Sequence, residues 1–501
     1  MLDAMHATGE LEAIDVQIGR LMLRSAADIP PAGAQLLAAS AARLSAARRA
    51  GHTCLSLGAI GEPLAHHPDA EPLPPVPAGD WAAALDAASA GSLCGDGSIP
   101  TPLVRAGDRL YLYRYWAAEL RLARAMRRML DTDPAPVSAA TAALLARLFP
   151  PPADGSTDLQ AVAARMAITR RLGVITGGPG TGKTTTVARM LALLLNDDPH
   201  CRIALAAPTG KAAARLREAV ESELRRLDLP ASLRARIPTG GRTLHRLLGY
   251  QPWDDRFAHT AARPLTDDVI VVDEASMVDL LLMDALFDAA RPDARIILLG
   301  DHGQLASVET GSVLGDFCRL ALGGSAPLQP NVVELRRSYR FEQHPGIGAL
   351  AAAIRAGAAP AALDVLRAGG HADVAMQPYP DTPAALLPII AEELDAFLAA
   401  REPHEALERL GAFRVLCGTY GGPWGVDAVT AAAERCLADR GFPVDGLHYD
   451  HRPVLVTSND HPLQLFNGDV GVILEDADGS HRAWFPDGTI AFSTLPARKQ
   501  A

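Results

Sequence analysis

Residues 172–184 read Leu-Gly-Val-Ile-Thr-Gly-Gly-Pro-Gly-Thr-Gly-Lys-Thr (LGVITGGPGTGKT), and this stretch decides the fold. Its first five residues are a short, partly β-branched apolar run of the kind that forms a buried strand. Gly177-Gly178-Pro179-Gly180-Thr181-Gly182-Lys183-Thr184 then matches G-x-x-x-x-G-K-[ST], and the helical pattern Thr185–Leu195 follows at once. Strand, glycine-rich turn and helix in that order converge backbone N–H groups and a helix N-terminus on one point, which makes a phosphate site. Lys183 is placed to reach the β and γ oxygens of a nucleotide, and the Thr184 hydroxyl to ligate Mg²⁺. ATP and Mg²⁺ are therefore the expected ligands, with Gly177 to Thr185 around the phosphates.

Outward from this point the same texture repeats. Arg202–Ala206 (RIALA), Val269–Val272 (VIVV) and Arg295–Leu299 (RIILL) are short apolar runs separated by helical stretches. That is the pattern of buried parallel strands in an α/β sheet. Val269–Val272 ends in Asp273-Glu274, so two acids ride on one strand tip. One carboxylate can enter the Mg²⁺ shell while the next polarises an attacking water, which makes Asp273 the expected metal partner and Glu274 the general base. The following strand delivers Gly300-Asp301-His302-Gly303-Gln304. Gln304, able to bond phosphate and water together, is the candidate sensor.

At 501 residues the chain has room for about three domains of roughly 150 residues. With 49% hydrophobic and 21% charged residues it is a folded multidomain protein, not a collagen, a disulfide-stapled miniprotein or a disordered chain. The net charge of −11 excludes a surface that attracts nucleic acid as a whole. Residues 161–250, however, hold 15 Lys and Arg against 6 Asp and Glu, so a polyanion site has a local home. Only three of the 47 basic residues are lysine, Lys183, Lys211 and Lys499, which suits positions that need a compact point charge. Six cysteines with no C-x-x-C pair fit free thiols in a reducing compartment. No basic-then-apolar leader and no run of about 18 apolar residues occur, so a cytoplasmic location without membrane contact is expected.

Residues 1–150 are Ala-rich and helical in pattern, interrupted by the Pro-rich stretch Pro63–Pro77. Within them, Leu110–Ala125 (LYLYRYWAAELRLARA) sets four aromatics ahead of a basic amphipathic helix, read as either the core of a small helical domain or a docking surface for a partner. Pro150–Ser156 reads as a linker. A second α/β block is expected from near Glu334, with a strand at Phe413–Cys417. From about Arg452, short strands with turn signals at Asn467-Gly468, Asp478-Gly479 and Asp487-Gly488 suggest a small β-barrel.

The phosphate loop, Leu205–Leu216 (LAAPTGKAAARL), Thr243–Gly249 (TLHRLLG), Val269–Asp279 (VIVVDEASMVD), Leu298–Asp316 (LLGDHGQLASVETGSVLGD) and Leu335–Phe341 (LRRSYRF) follow one another in a fixed order. They resemble motifs I, Ia, Ib, II, III and IV of superfamily 1 DNA helicases, and the wording is most similar to the RecD family, the alpha subunit of exodeoxyribonuclease V. The likeness extends from Gln160 through Arg452–Leu474. It implies a P-loop NTPase with a helical partner-docking domain at 1–150 and a RecA-like ATPase lobe at 151–333. Part of a second RecA-like lobe at 334–451 and an SH3-like β-rich segment at 452–501 would follow. The implied activity is ATP-dependent 5′→3′ helicase action on single-stranded DNA and DNA ends, in a heterotrimer with RecB-like and RecC-like subunits that serves double-strand break repair by homologous recombination. The same resemblance assigns Gln160 to adenine, Tyr339 to stacking on it, and Arg340 to the γ-phosphate as an arginine finger from the second lobe. It assigns Thr209, Lys211, Thr243 and His245 to the phosphates of single-stranded DNA, a role their chemistry suits.

Two departures stand out. The family's usual acid before the motif III glutamine is Gly303 here, and nothing in Glu475–Ala501 matches motif V (T-x-H-K-x-Q-G) or motif VI. An incomplete second lobe is therefore expected, and with it an alternative function: a nucleotide-binding, non-translocating assembly subunit. No cluster of carboxylates with a lysine is present to cleave DNA, so cleavage is assigned to a partner.

Overall fold

The computed structural model describes residues 1–58, 60, 77–90, 93–152, 155–305, 307, 309–377, 382–444, 449–457, 460, 463, 465, 468–475, 480–486 and 488–491. Most of the Pro63–Pro77 stretch, Asn467, Asp478-Gly479, Asp487 and the segment Leu495–Ala501 lie outside them. No helix among the described residues is long and apolar enough to cross a membrane.

Sixteen strands occur among the described residues. In the N-terminal region, β1 (Cys54–Ser56), β2 (Cys94–Gly95), β3 (Leu103–Ala106) and β4 (Arg109–Leu112) form a sheet of order β1-β4-β3-β2 against Ala-rich helices such as Pro31–Arg49. The N-terminal region read as helical thus carries a small sheet as well. The strands are two to four residues long, too short for periodicity to register, although the Gly107-Asp108 pair joining β3 to β4 is a two-residue hairpin signal.

The central sheet is built from β5 (Leu172–Gly177), β6 (Ile203–Ala207), β7 (Gly241–Thr243), then, beyond the small β8–β9 ribbon (Tyr250–Gln251, Arg256–Phe257), β10 (Val269–Val272), β11 (Arg295–Gly300) and β12 (Val332–Leu335). Its order is β12-β5-β11-β10-β6-β7 and every pairing is parallel. All residues of β5 and β10 are buried. Alternate side chains enter two cores: Ile175, Val271, Ile297 and Leu299 pack on the helix Lys183–Asp197 side. Val174, Ile270, Val272 and Leu298 pack on the side of the helix Leu280–Ala289. Tyr115, Leu122 and Met126 of the helix Tyr113–Leu130 belong to that second core, so the aromatic-basic segment supplies core packing to the sheet.

The chain divides into two compact units, Met1–Pro208 with Ala212–His344, and the residues from Pro345 onward with Thr209–Lys211. The first joins the N-terminal region to the central sheet without a packing boundary at residue 150: Thr310 Oγ1 donates to Arg48 O at 3.0 Å and Gly311 N to Gly51 O at 3.1 Å. Glu334 lies inside β12, which pairs with β5, so it closes the first sheet.

The second unit carries helices Pro345–Arg355, Ala359–Arg367, Leu387–Ala399, Pro403–Ala412 and Val426–Asp439, then an antiparallel sheet β13 (Pro453–Leu455), β14 (Val470–Glu475), β15 (His481–Phe485) and β16 (Gly488–Ala491). β14 sends Ile473 into one cluster and Val472 and Leu474 into another. The strand expected at Phe413–Cys417 is irregular backbone instead. A strand needs a hydrogen-bonded neighbour, none pairs with this segment among the described residues, and Leu416 is 91% exposed.

Candidate functional site

Parallel pairing on both sides of β5 aims its C-terminal end at a single point, where the chain turns into the helix Lys183–Asp197. The turn needs left-handed backbone at two glycines, Gly180 (φ 73°) and Gly182 (φ 81°). A Cβ on Gly180 would lie 2.5 Å from the Cβ of Arg340, so only glycine fits. Thr181 is buried and its hydroxyl donates to Gly178 O at 2.9 Å. Lys183 Nζ donates to Gly177 O (2.6 Å) and Gly178 O (3.2 Å), which holds the ammonium over the loop. Thr184 and Thr185 occupy the first turn of the helix, both half-buried.

Segments distant in sequence close on this loop. Gln160 follows the helix cap Asp158, and its Nε2 donates to Thr181 O at 3.1 Å. From the other side, Ser338 Oγ donates to Pro179 O at 2.8 Å and Tyr339 N to Gly180 O at 3.0 Å. Gln160, Thr181, Gly182, Thr185, Arg337 and Tyr339 share the wall of a cavity of about 420 Å³, and the Arg337 guanidinium lies 4.9 Å from the Tyr339 ring centre. Arg340 was expected on the second lobe; it belongs to the first unit, because β12 and the Ser338 and Tyr339 contacts tether it to the loop.

β10 pairs between β6 and β11, and Asp273 follows its last residue, with Asp273 N bonded to Ala206 O at 2.9 Å. Burial pushes the Asp273 carboxyl up to about 6, further raised by Glu274 and opposed by the Glu274 N–H and by Lys183. Glu274 N donates to Asp273 Oδ1 at 2.9 Å, and Glu274 itself is held at φ 52°, a left-handed conformation unusual for a residue with a Cβ. Strain of this kind concentrates at working sites. β11 ends at Gly300, after which Asp301 is buried and accepts from Gly303 N at 3.0 Å, while Gln304 is exposed and its N–H bonds Asp301 O at 3.1 Å. Here Asp301, on the other side of Gly303, braces the loop.

Sequence reasoning missed two members of this constellation. His302 Nδ1 lies 2.8 Å from the hydroxyl of buried Thr176 on β5, and its Nε2 4.0 Å from Glu334 on β12, so it spans three strand tips. Ser338 is the other. Both lie inside stretches quoted as motifs, but only the strand order brings them to their partners.

Of the residues assigned to DNA, Thr243 and His245 belong to the first unit and Thr209 and Lys211 to the second. Thr243 ends β7 in register with Ala207 of β6 and caps the helix Leu244–Leu248, accepting from Arg246 N at 3.2 Å. Thr209 and Lys211 follow Ala207 by two and four residues, and Lys211 is exposed. The His245 ring sits 5.3 Å from Tyr250 and 6.0 Å from Phe257. Desolvation of its packed edge lowers its pKa below the ordinary imidazole value, against a smaller opposing effect of Asp279, while the rest of the side chain stays open to solvent.

Gly180→Ala forces a β-carbon into left-handed backbone at a cost of about 1–2 kcal/mol and against Arg340. Nucleotide affinity is expected to fall about tenfold, read by titration with a fluorescent nucleotide; an unchanged affinity would contradict the tight loop described above.

Residues 160–310 match the family model of an AAA domain, and residues 7–111 that of the N-terminal domain of the RecBCD enzyme subunit RecD. The RecBCD enzyme subunit RecD of Mycolicibacterium smegmatis is 42% identical over 496 residues, covering 97% of this chain and 83% of that protein. Its counterpart in Haemophilus influenzae is 32% identical over 452 residues, 78% of this chain and 69% of that one. The ATP-dependent RecD2 DNA helicase of Deinococcus radiodurans is 30% identical over 385 residues, 76% of this chain and 46% of that one. With 42% identity along 97% of its length, the chain belongs to the family of the RecBCD enzyme subunit RecD.

Proposed function

We propose that this chain is the ATP-driven 5′→3′ DNA helicase subunit of a RecBCD-type heterotrimer, acting on single-stranded DNA and DNA ends beside RecB-like and RecC-like subunits. One observation carries the reading: in a chain of this family, the phosphate loop after β5 and the acidic tip of β10 belong to the same parallel sheet, with β11 as their shared neighbour.

In this reading Lys183 and the backbone N–H groups of residues 177–184 hold the nucleotide phosphates, and Thr184 with Asp273 holds Mg²⁺. A buried carboxylate of raised pKa beside a hydroxyl-bearing helix start fits that ion, which takes one or two carboxylates and fills its shell with phosphate and water. When bound, Mg²⁺ offsets charge on the β and γ oxygens. Glu274 takes the proton of the attacking water, Gln304 orients that water against the γ-phosphate, and Arg340 supplies positive charge to the transition state. Gln160 and Tyr339 frame the adenine. Thr209, Lys211, Thr243 and His245 line the path of the DNA backbone, and their grip changes as the nucleotide is hydrolysed.

In the assembled complex, a duplex with a 5′ single-stranded tail is expected to be unwound, and Lys183→Ala to reduce this at least about 100-fold. Unwinding of the 5′-tailed duplex by the Lys183→Ala complex at the unaltered rate would sink the proposal. A second check uses pH: a ligand must be deprotonated to hold metal, and Asp273 titrates near 6. Mg²⁺-dependent nucleotide affinity should be flat above that pH and fall about tenfold per unit below it, and Asp273→Asn should abolish the slope.

A further inference from the structure

We infer that a basic cavity on the first unit, away from the nucleotide, docks an acidic segment of a partner polypeptide; this rests on the reading of the chain as a subunit of a larger enzyme. The cavity, about 890 Å³, is lined by the helices Tyr113–Leu130 and Leu280–Ala289 and by Arg171 and Arg291. Arg121, Arg124 and Arg128 enter it from one helical face at spacings of three and four residues.

Their charge is only partly answered within the chain. Arg121 pairs with Asp284, and Arg291 with Asp268 (3.0 Å) and Asp293 (2.6 Å). Arg124 and Arg128 are exposed, with no ion-pair partner among the described residues, whereas Nε and Nη2 of Arg171 are buried with no hydrogen-bond partner there. The remaining acids of the wall are already engaged: Asp131 lies 3.7 Å from Arg127, and Asp288 accepts from Ala261 N at 3.0 Å. Buried guanidinium N–H groups call for an acceptor, and a carboxylate can take two of them at once.

Two features favour a peptide over nucleic acid. Arg171 and Arg291 precede β5 and β11, so the cavity opens at the N-terminal ends of the strands, whereas the phosphate loop, Asp273 and Thr243 follow the C-terminal ends. A six-residue strand separates those edges by roughly 20 Å. The guanidiniums are also interleaved with Met129, Phe287, Pro264 and Pro292, and arginine among apolar and aromatic side chains is the make-up of a protein interface.

The test co-expresses the full chain with the RecB-like and RecC-like subunits and measures recovery of the heterotrimer. Arg124→Glu/Arg128→Glu is expected to lower recovery about tenfold or more, and Arg124→Ala/Arg128→Ala by less, while each isolated variant melts and binds nucleotide as the unaltered chain does. Recovery of the Glu variant at the unaltered level overturns the proposal. So does normal assembly with weakened binding of a single-stranded oligonucleotide, which would make the cavity a phosphate site. If the unaltered chain itself fails to enter the complex, the parent reading falls and this inference with it, whereas failure of the variants to lose assembly touches the inference alone.

Discussion

Hydrogen bonds run along both edges of β5, to β11 on one side and β12 on the other, and each of its six residues is buried. A strand held in this way cannot shift without breaking two ladders, so its end is a fixed point for the turn that follows. That turn then acts as an acceptor for its surroundings: Thr181 O takes Gln160, Pro179 O takes Ser338, and Gly180 O takes the Tyr339 N–H. Segments some 20 and 160 residues away are thereby gathered around six residues of loop. The same sheet sets the acids, because β10 is in register with β11, which is in register with β5.

Burial also sets the electrostatics. Asp273 sits where desolvation outweighs the pull of Lys183, which raises its carboxyl to about 6. Glu274 beside it is kept in a left-handed conformation that the end of a buried strand and the following turn impose.

Legibility from sequence followed the range of the interactions. The phosphate loop, the strand at 269–272 and its two acids could be read because each depends on neighbours within about ten residues. The N-terminal sheet escaped because its strands are shorter than one period of burial alternation. His302 and Ser338 escaped because their partners, Thr176 and Pro179, are brought near only by strand order. The placement of Arg340 was misread for a related reason: a motif's position in the chain says which lobe follows it, whereas the hydrogen bonds of β12 decide which lobe holds it. The Tyr113–Leu130 helix takes the core reading offered for it, with Tyr115 and Leu122 packed on the sheet, while Arg121, Arg124 and Arg128 line a cavity.

The claim on which the rest depends is that this loop and these acids form a working motor site. It is tested most directly by measuring ATP hydrolysis by the full chain with and without a single-stranded oligonucleotide, beside Lys183→Ala. The geometry predicts that DNA raises turnover of the unaltered chain at least about tenfold above that of the variant. Equal turnover in the two, with nucleotide bound only by the unaltered chain, would contradict it.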